Sequence, residues 1–525
     1  MKQPNFLFII TDQLRADHTG FGGNTIVQTP NLDELANNSM VFDRAYVPCP
    51  ICGPSRRSLL TGKMASLHGG WDNGTALDWD ASTFTRTLSK NGYRTGLIGK
   101  SHIQEMMDGP PPPDEAPAAA ESFKGWQPSF LFSAMKEKPA SNAWYEGWDR
   151  WERAARHREE WVDVPEDFYG FDHTYLVCGH NDLPSGHYFQ WLKEQGFDTT
   201  KHGGPRNALR RDESWNQIYH SSMPEELYPT TYVGQQSIKF VKEAQEKEQP
   251  FFLFASFSDP HHPFCPPGKY YDMYDPDDIP LPETFYDSHQ DSMPHIKTMV
   301  ENRGYDHRGP LGFSISEEQY RKATAVEYGS VTMLDDVIGQ IIDELKQNGM
   351  YENTVIIFTS DHGDAFGDHG LMLKHAVHYG GITRIPLLIR TPGMNPGRCR
   401  SMAGLLDLGQ TILDMAGYEP EDKMFGHSLM PLLNDPSDSV RDSVLIEEAM
   451  PVDVTGDGHA YGLRTLVTED ARMTIYIGSE QGELYDLVND PGEINNLFAK
   501  PEGKELRTKM MEKLAYSMLE HTHYG

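Results

Sequence analysis

The chain has 525 residues, 38% of them hydrophobic and 11% aromatic, enough for one large packed domain with a satellite. With 46 basic against 77 acidic residues the formal charge is −31, which excludes the basic surface that a nucleic acid or an anionic membrane would require. An anionic substrate would therefore need a local island of positive charge, for which Arg56, Lys100 and Lys374 are the candidates.

In chain order, Phe6 to Ile10 is a continuous apolar run, as expected of a strand buried on both faces of a parallel sheet, and Asp12 and Gln13 follow its C-terminal tip. Five apolar residues are too few for a secretion signal, and no later run reaches membrane-spanning length. Five cysteines without regular spacing make no disulfide framework. Together these features read as a soluble protein of the cytoplasm. Thr29-Pro30-Asn31-Leu32-Asp33-Glu34 opens a helix, with Thr29 as its cap and Pro30 in the first turn.

The stretch Cys52-Gly53-Pro54-Ser55-Arg56-Arg57-Ser58-Leu59-Leu60-Thr61-Gly62 reads as a reactive side chain at the mouth of a helix, where free N–H groups and the dipole favour an anion. Cys49-Pro50-Ile51-Cys52 alone also admits a redox pair or a buried thiol. Phe84 and Leu88 then share the face of a helix closed by Gly92, and Thr95 to Ile98 forms a strand ending in Gly99-Lys100-Ser101-His102.

Residues 103–230 change in character, with a stiff proline-rich connection at 108–117 and then many aromatics and acids. This reads as an insertion covering the rim of a site. Trp126, Trp144, Trp148 and Trp151 either line a pocket or pack within a small lid. A helix from about Tyr232 to Ala244 leads into the strand Phe251 to Phe257, followed by Asp259-Pro260-His261-His262-Pro263. A long amphipathic stretch carrying Val331, Leu334, Val337, Ile338, Ile341, Ile342 and Leu345 ends at Gly349 and feeds Thr354 to Phe358, then Asp361-His362-Gly363-Asp364. Past Leu433, Ser443 to Glu447, Gly462 to Val467 and Met473 to Ile477 read as short strands, with a last helix over about 504–519.

The fold that follows is α/β: a large, mostly parallel sheet flanked by helices over 1–432, and a smaller α+β subdomain with an antiparallel sheet over 433–525. Ligands of open α/β sheets bind in the crevice beyond the carboxyl ends of the strands, so the polar residues after the four apolar strands belong on one rim.

Cys52-Gly53-Pro54-Ser55-Arg56 with Leu60-Thr61-Gly62 resembles the signature of the formylglycine-dependent type I sulfatases of the alkaline phosphatase superfamily. Leu484-Tyr485-Asp486-Leu487 with Asp490-Pro491, Glu493 and Asn496-Leu497 resembles their small C-terminal subdomain. The resemblance implies an alkaline-phosphatase-like fold and hydrolysis of sulfate monoesters. It implies that a formylglycine-generating enzyme converts Cys52 to Cα-formylglycine, whose hydrate attacks sulfur with one hydroxyl and expels sulfate with the other. It also implies one divalent metal ion held by Asp12, Gln13, Asp361, His362 and an oxygen from residue 52, a mostly oxygen set. The family holds Ca²⁺ there with Asp-Asp and Asp-Asn pairs. Asp12-Gln13 and Asp361-His362 match instead the phosphonate monoester hydrolase branch, which tends to use Mn²⁺.

By the same resemblance, Arg56 would hold the diol near the metal, Lys100 and Lys374 would bind sulfate oxygens, and His261 with Lys374 would serve the leaving oxygen. His102 would take the proton that starts elimination, and Asn73 would contact substrate. The expected substrate is a small anionic sulfate ester, aryl or small alkyl, and a homo-oligomer is compatible with the sequence. The nearest alternative is a phosphonate monoester or phosphodiester hydrolase on the same fold. Members of that branch often carry Pro-Ala-Arg after the cysteine, and Tyr and Thr where Lys100 and His102 stand. A non-catalytic anion-binding or thiol-redox protein is the reading from another class.

Overall fold

The run Phe6 to Ile10 contains no polar residue because it lies in mid-sheet with helices on both faces. The structure is a computed structural model and describes residues 3–106, 150–183, 185–304, 312–452 and 461–521. The main sheet contains β1 (Asn5–Thr11), β2 (Met40–Phe42), β3 (Arg94–Gly99), β4 (His173–Leu176), β5 (Phe251–Ser256), β6 (Thr354–Ser360), β7 (Leu387–Arg390) and β8 (Gly397–Cys399). Their spatial order is β8-β2-β7-β6-β1-β5-β3-β4. From β6 to β4 every pairing is parallel, whereas β7 runs antiparallel to both β6 and β2. The α/β class and the mostly parallel sheet read from the sequence are borne out.

The helices that matter for the site are α1 (Pro30–Asn37), α2 (Cys52–Thr61), α3 (Phe84–Lys90), α4 (Pro229–Glu246), α5 (Glu317–Gln347) and α6 (Lys504–Glu520). Successive side chains of β1 enter different cores. Leu7 and Ile9 join Val233, Phe240 and Val241 of α4 and the apolar face of α5, while Phe6, Phe8 and Ile10 join Leu59 and Leu60 of α2 and Phe84 and Leu88 of α3. Each side chain so buried contributes about 1.5–3 kcal/mol, which fixes the register of the central strands and hence the height of their tips.

One boundary reading is corrected. Thr29 does not cap α1 through its side chain, because its hydroxyl accepts from Gly20 N and donates to Asp33. The free N–H groups of Asn31 and Leu32 are instead met by the carboxylate of Asp335, from α5, at 3.0 and 2.7 Å. Helix α5 itself starts well before Val331, at a capping box in which Ser316 and Gln319 serve each other's backbone N–H.

The C-terminal residues form an antiparallel sheet of β9 (Ser443–Val452), β10 (Tyr461–Thr468), β11 (Ala471–Tyr476) and β12 (Gly482–Asp486). Met510 and Leu514 of α6 pack on its Leu466, Met473 and Leu484. Within the predicted insertion, Trp151 is buried against Trp79 and Phe168, which is packing and not pocket lining. Trp126, Trp144, Trp148 and the 108–117 connection lie outside the described residues. No helix among the described residues is long and apolar enough to cross a membrane.

Candidate active site

Because β1, β3, β5 and β6 are parallel neighbours, their C-terminal ends share one edge, and polar side chains follow each end within three residues. Asp12 and Gln13 follow β1, Lys100 follows β3, Asp259 to His262 follow β5, and Asp361 and His362 follow β6. Gly99 makes the turn into Lys100 at φ 107°, and a Cβ there would stand 1.8 Å from the Ser256 carbonyl oxygen, so only glycine fits. Helix α2 starts on Cys52 itself and ends at left-handed Gly62.

The side chains converge. Cys52 Sγ lies 3.1 Å from His362 Nε2 and 3.6 Å from Asp12 Oδ1, and His362 Nε2 is 3.4 and 3.5 Å from Asp12 Oδ1 and Asp361 Oδ1. Arg56 donates through Nε to Asp361 Oδ2 at 2.7 Å, and through one terminal nitrogen to the Lys100 carbonyl at 3.0 Å and to Ser256 Oγ at 2.7 Å. Lys100 Nζ pairs with Asp12 Oδ2 and donates to His180 Nε2 at 2.8 Å. Lys374 Nζ donates to Gln13 Oε1 at 2.9 Å and to His261 Nε2 at 3.1 Å. Asn73 stands apart from this network, its amide oxygen accepting from Gly53 N at 3.0 Å at the start of α2. The buried His102 has an unpartnered Nδ1 and lies close enough to the Cys52 thiol to interact with it.

Electrostatics follow from this crowding. Burial opposes ionisation of Asp12, but Lys100 and the surrounding histidines hold it well below the usual carboxylate range. Burial and Asp12 both oppose a Cys52 thiolate, yet Lys100, Lys374 and His362 outweigh them and depress the thiol. Burial and Lys374 oppose charge on His362, but Asp361, the Cys52 sulfur and Asp12 raise it to about 9. Burial lowers His102 to about 3 and depresses His261, whose Nδ1 faces the His262 carbonyl. Both imidazoles are therefore neutral near pH 7.

Asp12, Cys52, Asp361 and His362 are all buried, and each offers a donor atom within 4.8 Å of the others. Two carboxylates, an imidazole and a residue-52 donor suit a divalent cation, and the raised His362 shows how strongly this nest favours positive charge. Gln13 Nε2 beside it is buried without a partner. The residues fit a metal, while the Gln13 amide oxygen is turned to Lys374.

Two residues escape the sequence reading. His180 follows β4, stacks on the His261 ring at 3.9 Å and stands 3.5 Å from Asp12 Oδ2, the same strand-tip position that marked the others. Glu152 is buried beneath the rim and accepts from Ser101 Oγ and from the backbone N–H of His102, Ile103 and Gln104, so it pins the loop that carries His102. Among the remaining histidines, His369 faces Asp287, His375 and His378 face Glu448, and His521 faces Ser517, while His523 lies outside the described residues.

The sulfatase family profile matches residues 4–142 and 179–418, more than half of the chain. The chain belongs to the sulfatase family. A second profile, that of the N-sulphoglucosamine sulphohydrolase C-terminal region, matches residues 367–520 of this sulfatase. It is 29% identical over 534 residues to an arylsulfatase of Clostridium perfringens, covering 100% of this chain and 96% of that protein. It is 26% identical to a choline-sulfatase of Rhizobium meliloti, with 95% and 83% covered. The solved phosphonate monoester hydrolase of Silicibacter pomeroyi superposes with a TM-score of 0.76 at 25% identity, over 99% of this chain and 96% of that one. The family expected from the Cys52 motif is thereby shown, and this sulfatase is a sulfuric ester hydrolase.

Proposed function

We propose that the sulfatase hydrolyses compact aryl or small alkyl sulfate monoesters, using formylglycine made from Cys52 and one divalent ion. The observation that carries this reading is the meeting of Cys52, Asp12, Asp361 and His362 in one buried nest, flanked by Lys100 and Lys374 in a molecule of charge −31. Asp12, Asp361 and His362, with Gln13 and residue 52, would hold the ion, Ca²⁺ or Mn²⁺, which when bound supplies Lewis-acid polarisation of an oxygen ligand. Formylglycine at position 52 supplies a hydrated aldehyde, one hydroxyl for attack at sulfur and a second to expel sulfate.

The chain's own residues do the rest. Arg56 fixes Asp361 and offsets its charge. Lys100 and Lys374 turn their ammonium groups from Asp12 and Gln13 to sulfate oxygens, where charge builds as the ester bond breaks. His261 accepts a proton-bearing contact from Lys374 through Nε2, so Lys374 carries the hydrogen offered to the leaving oxygen and His261 orients it. His102, neutral and with a free ring nitrogen, accepts the proton lost on elimination. Asn73 and His180 border the substrate. Five free, buried cysteines suit a reducing compartment, and we place the protein in the cytoplasm, matured by a formylglycine-generating enzyme.

Sulfate and phosphonate esters are both tetrahedral monoanions, and the likeness to a phosphonate monoester hydrolase favours a side activity on the second class. The test is kcat/KM on an aryl sulfate and an aryl phosphonate with one preparation, with Cys52→Ala as blank. Sulfate turnover should dominate and vanish in the blank. A dominant phosphonate rate, or turnover surviving in the blank, would reverse the reading.

A further inference from the structure

Lys374 sits in an unusual stretch of backbone. Leu373, His375 and Ala376 on either side of it all have positive φ, at 68°, 84° and 59°. Non-glycine residues in the left-handed region are strained and persist only where their surroundings hold them. From the main domain, Asp364 Oδ1 accepts from Leu373 N at 2.9 Å, and the Lys374 carbonyl accepts from Gly312 N at 2.8 Å. The other anchors come from the antiparallel sheet.

Glu448, fully buried on β9, accepts from Ala376 N with both oxygens, at 3.1 and 3.2 Å. His378 Nε2 lies 3.0 Å from the same carboxylate and His375 Nδ1 3.5 Å. The far side of His378 is tied to Thr465 Oγ1 on β10 at 2.7 Å. Further along, Glu493 accepts from Gly380 N at 2.7 Å, and Arg472 of β11 lies over the Tyr379 ring. The strained turn that aims Lys374 is thus clamped by a carboxylate that belongs to another sheet.

We propose that Glu448 is a positioning residue for Lys374: through Ala376 and His378 it holds the left-handed turn that keeps the ammonium group at the sulfate position. This rests on the reading of Lys374 as a sulfate ligand. Glu448 touches no substrate, so its effect must pass through Lys374.

The test is a double-mutant cycle of Glu448→Ala and Lys374→Ala, with kcat and KM measured separately on an activated aryl sulfate so that impaired variants remain readable. Glu448→Ala should lower kcat/KM by about 10²-fold, the scale of a misplacement near 1 Å. In the Lys374→Ala background the same change should cost less than about 3-fold. Glu448→Gln keeps an oxygen for Ala376 N and should recover part of the loss; it also replaces Glu448→Ala in the cycle if the alanine variant does not fold. A full multiplicative loss in the Lys374→Ala background, or a silent Glu448→Ala, overturns the proposal. A silent Lys374→Ala removes the sulfate-ligand reading itself, and the proposal with it.

Discussion

Arg56 is the side chain whose removal has the most calculable consequence. It is 1% exposed and makes three contacts, to Asp361 Oδ2, the Lys100 carbonyl and Ser256 Oγ. Arg56→Ala takes the guanidinium from Asp361 Oδ2 and leaves that buried carboxylate opposite Asp12 with only Gln13 N and His362 on its Oδ1, and breaking a buried pair from one side costs about 3–5 kcal/mol. The Lys100 carbonyl loses its donor as well, adding about 1–3 kcal/mol, whereas the Ser256 hydroxyl can reorient. A loss near 5 kcal/mol is comparable to the whole stability of many domains and corresponds to roughly 1–2 M in the urea midpoint at a slope of about 3 kcal/mol per M. Arg56→Lys keeps a charge near Asp361 and should lose only about half as much. The assay is urea unfolding followed by tryptophan fluorescence on wild type, Arg56→Ala, Arg56→Leu, and the double variant Arg56→Leu with Asp361→Leu. Removing both charges should recover most of what Arg56→Leu alone loses, because no ion is then left unpaired. If Arg56→Ala unfolds at the wild-type midpoint, or if the double variant simply adds the two losses, Arg56 is not the counter-charge of Asp361.

Two further outcomes are expected. Exhaustive chelation should abolish turnover and lower the thermal midpoint, and Ca²⁺ or Mn²⁺ at a hundred times its Kd should restore about 2.7 kcal/mol; Asp361→Asn should remove that shift, and a midpoint indifferent to chelator and ion would contradict the metal nest. Glu448 falls from 4.5 to about 2 because His375 and His378 outweigh the burial that opposes its ionisation. A depressed carboxylate stabilises above its unfolded pKa and loses that contribution as pH falls through its folded one, so about 3 kcal/mol should disappear between pH 4.5 and 2. Urea midpoints taken down that range should therefore fall less steeply in Glu448→Gln than in wild type, and parallel curves would refute the assignment.

The rim was legible wherever a strand is buried on both faces. Such strands carry apolar runs, so Asp12, Lys100 and Asp361 announce themselves as the first charged residues after them. His180 was not, because β4 forms the edge of the sheet and reads His-Thr-Tyr-Leu, with no apolar run to end. Glu152 and Glu448 were illegible for another reason: each serves backbone N–H groups of a loop far away in sequence, and backbone donors leave no trace in residue identity. The cap of α1 shows the same blindness, since Thr29 stands in the right local position while the bond is made by Asp335, some 300 residues later.

The order of strands in the main sheet bears on how the chain can be made. Strand β1 is made before both of its neighbours, β5 and β6, which emerge hundreds of residues afterwards. Until then Phe6 to Ile10 presents two open edges of exposed main-chain groups, a template for another nascent copy. Fragments ending before Thr354 should accordingly collect in inclusion bodies, and slowing synthesis should not rescue them, because the missing edge partner is absent and not merely late.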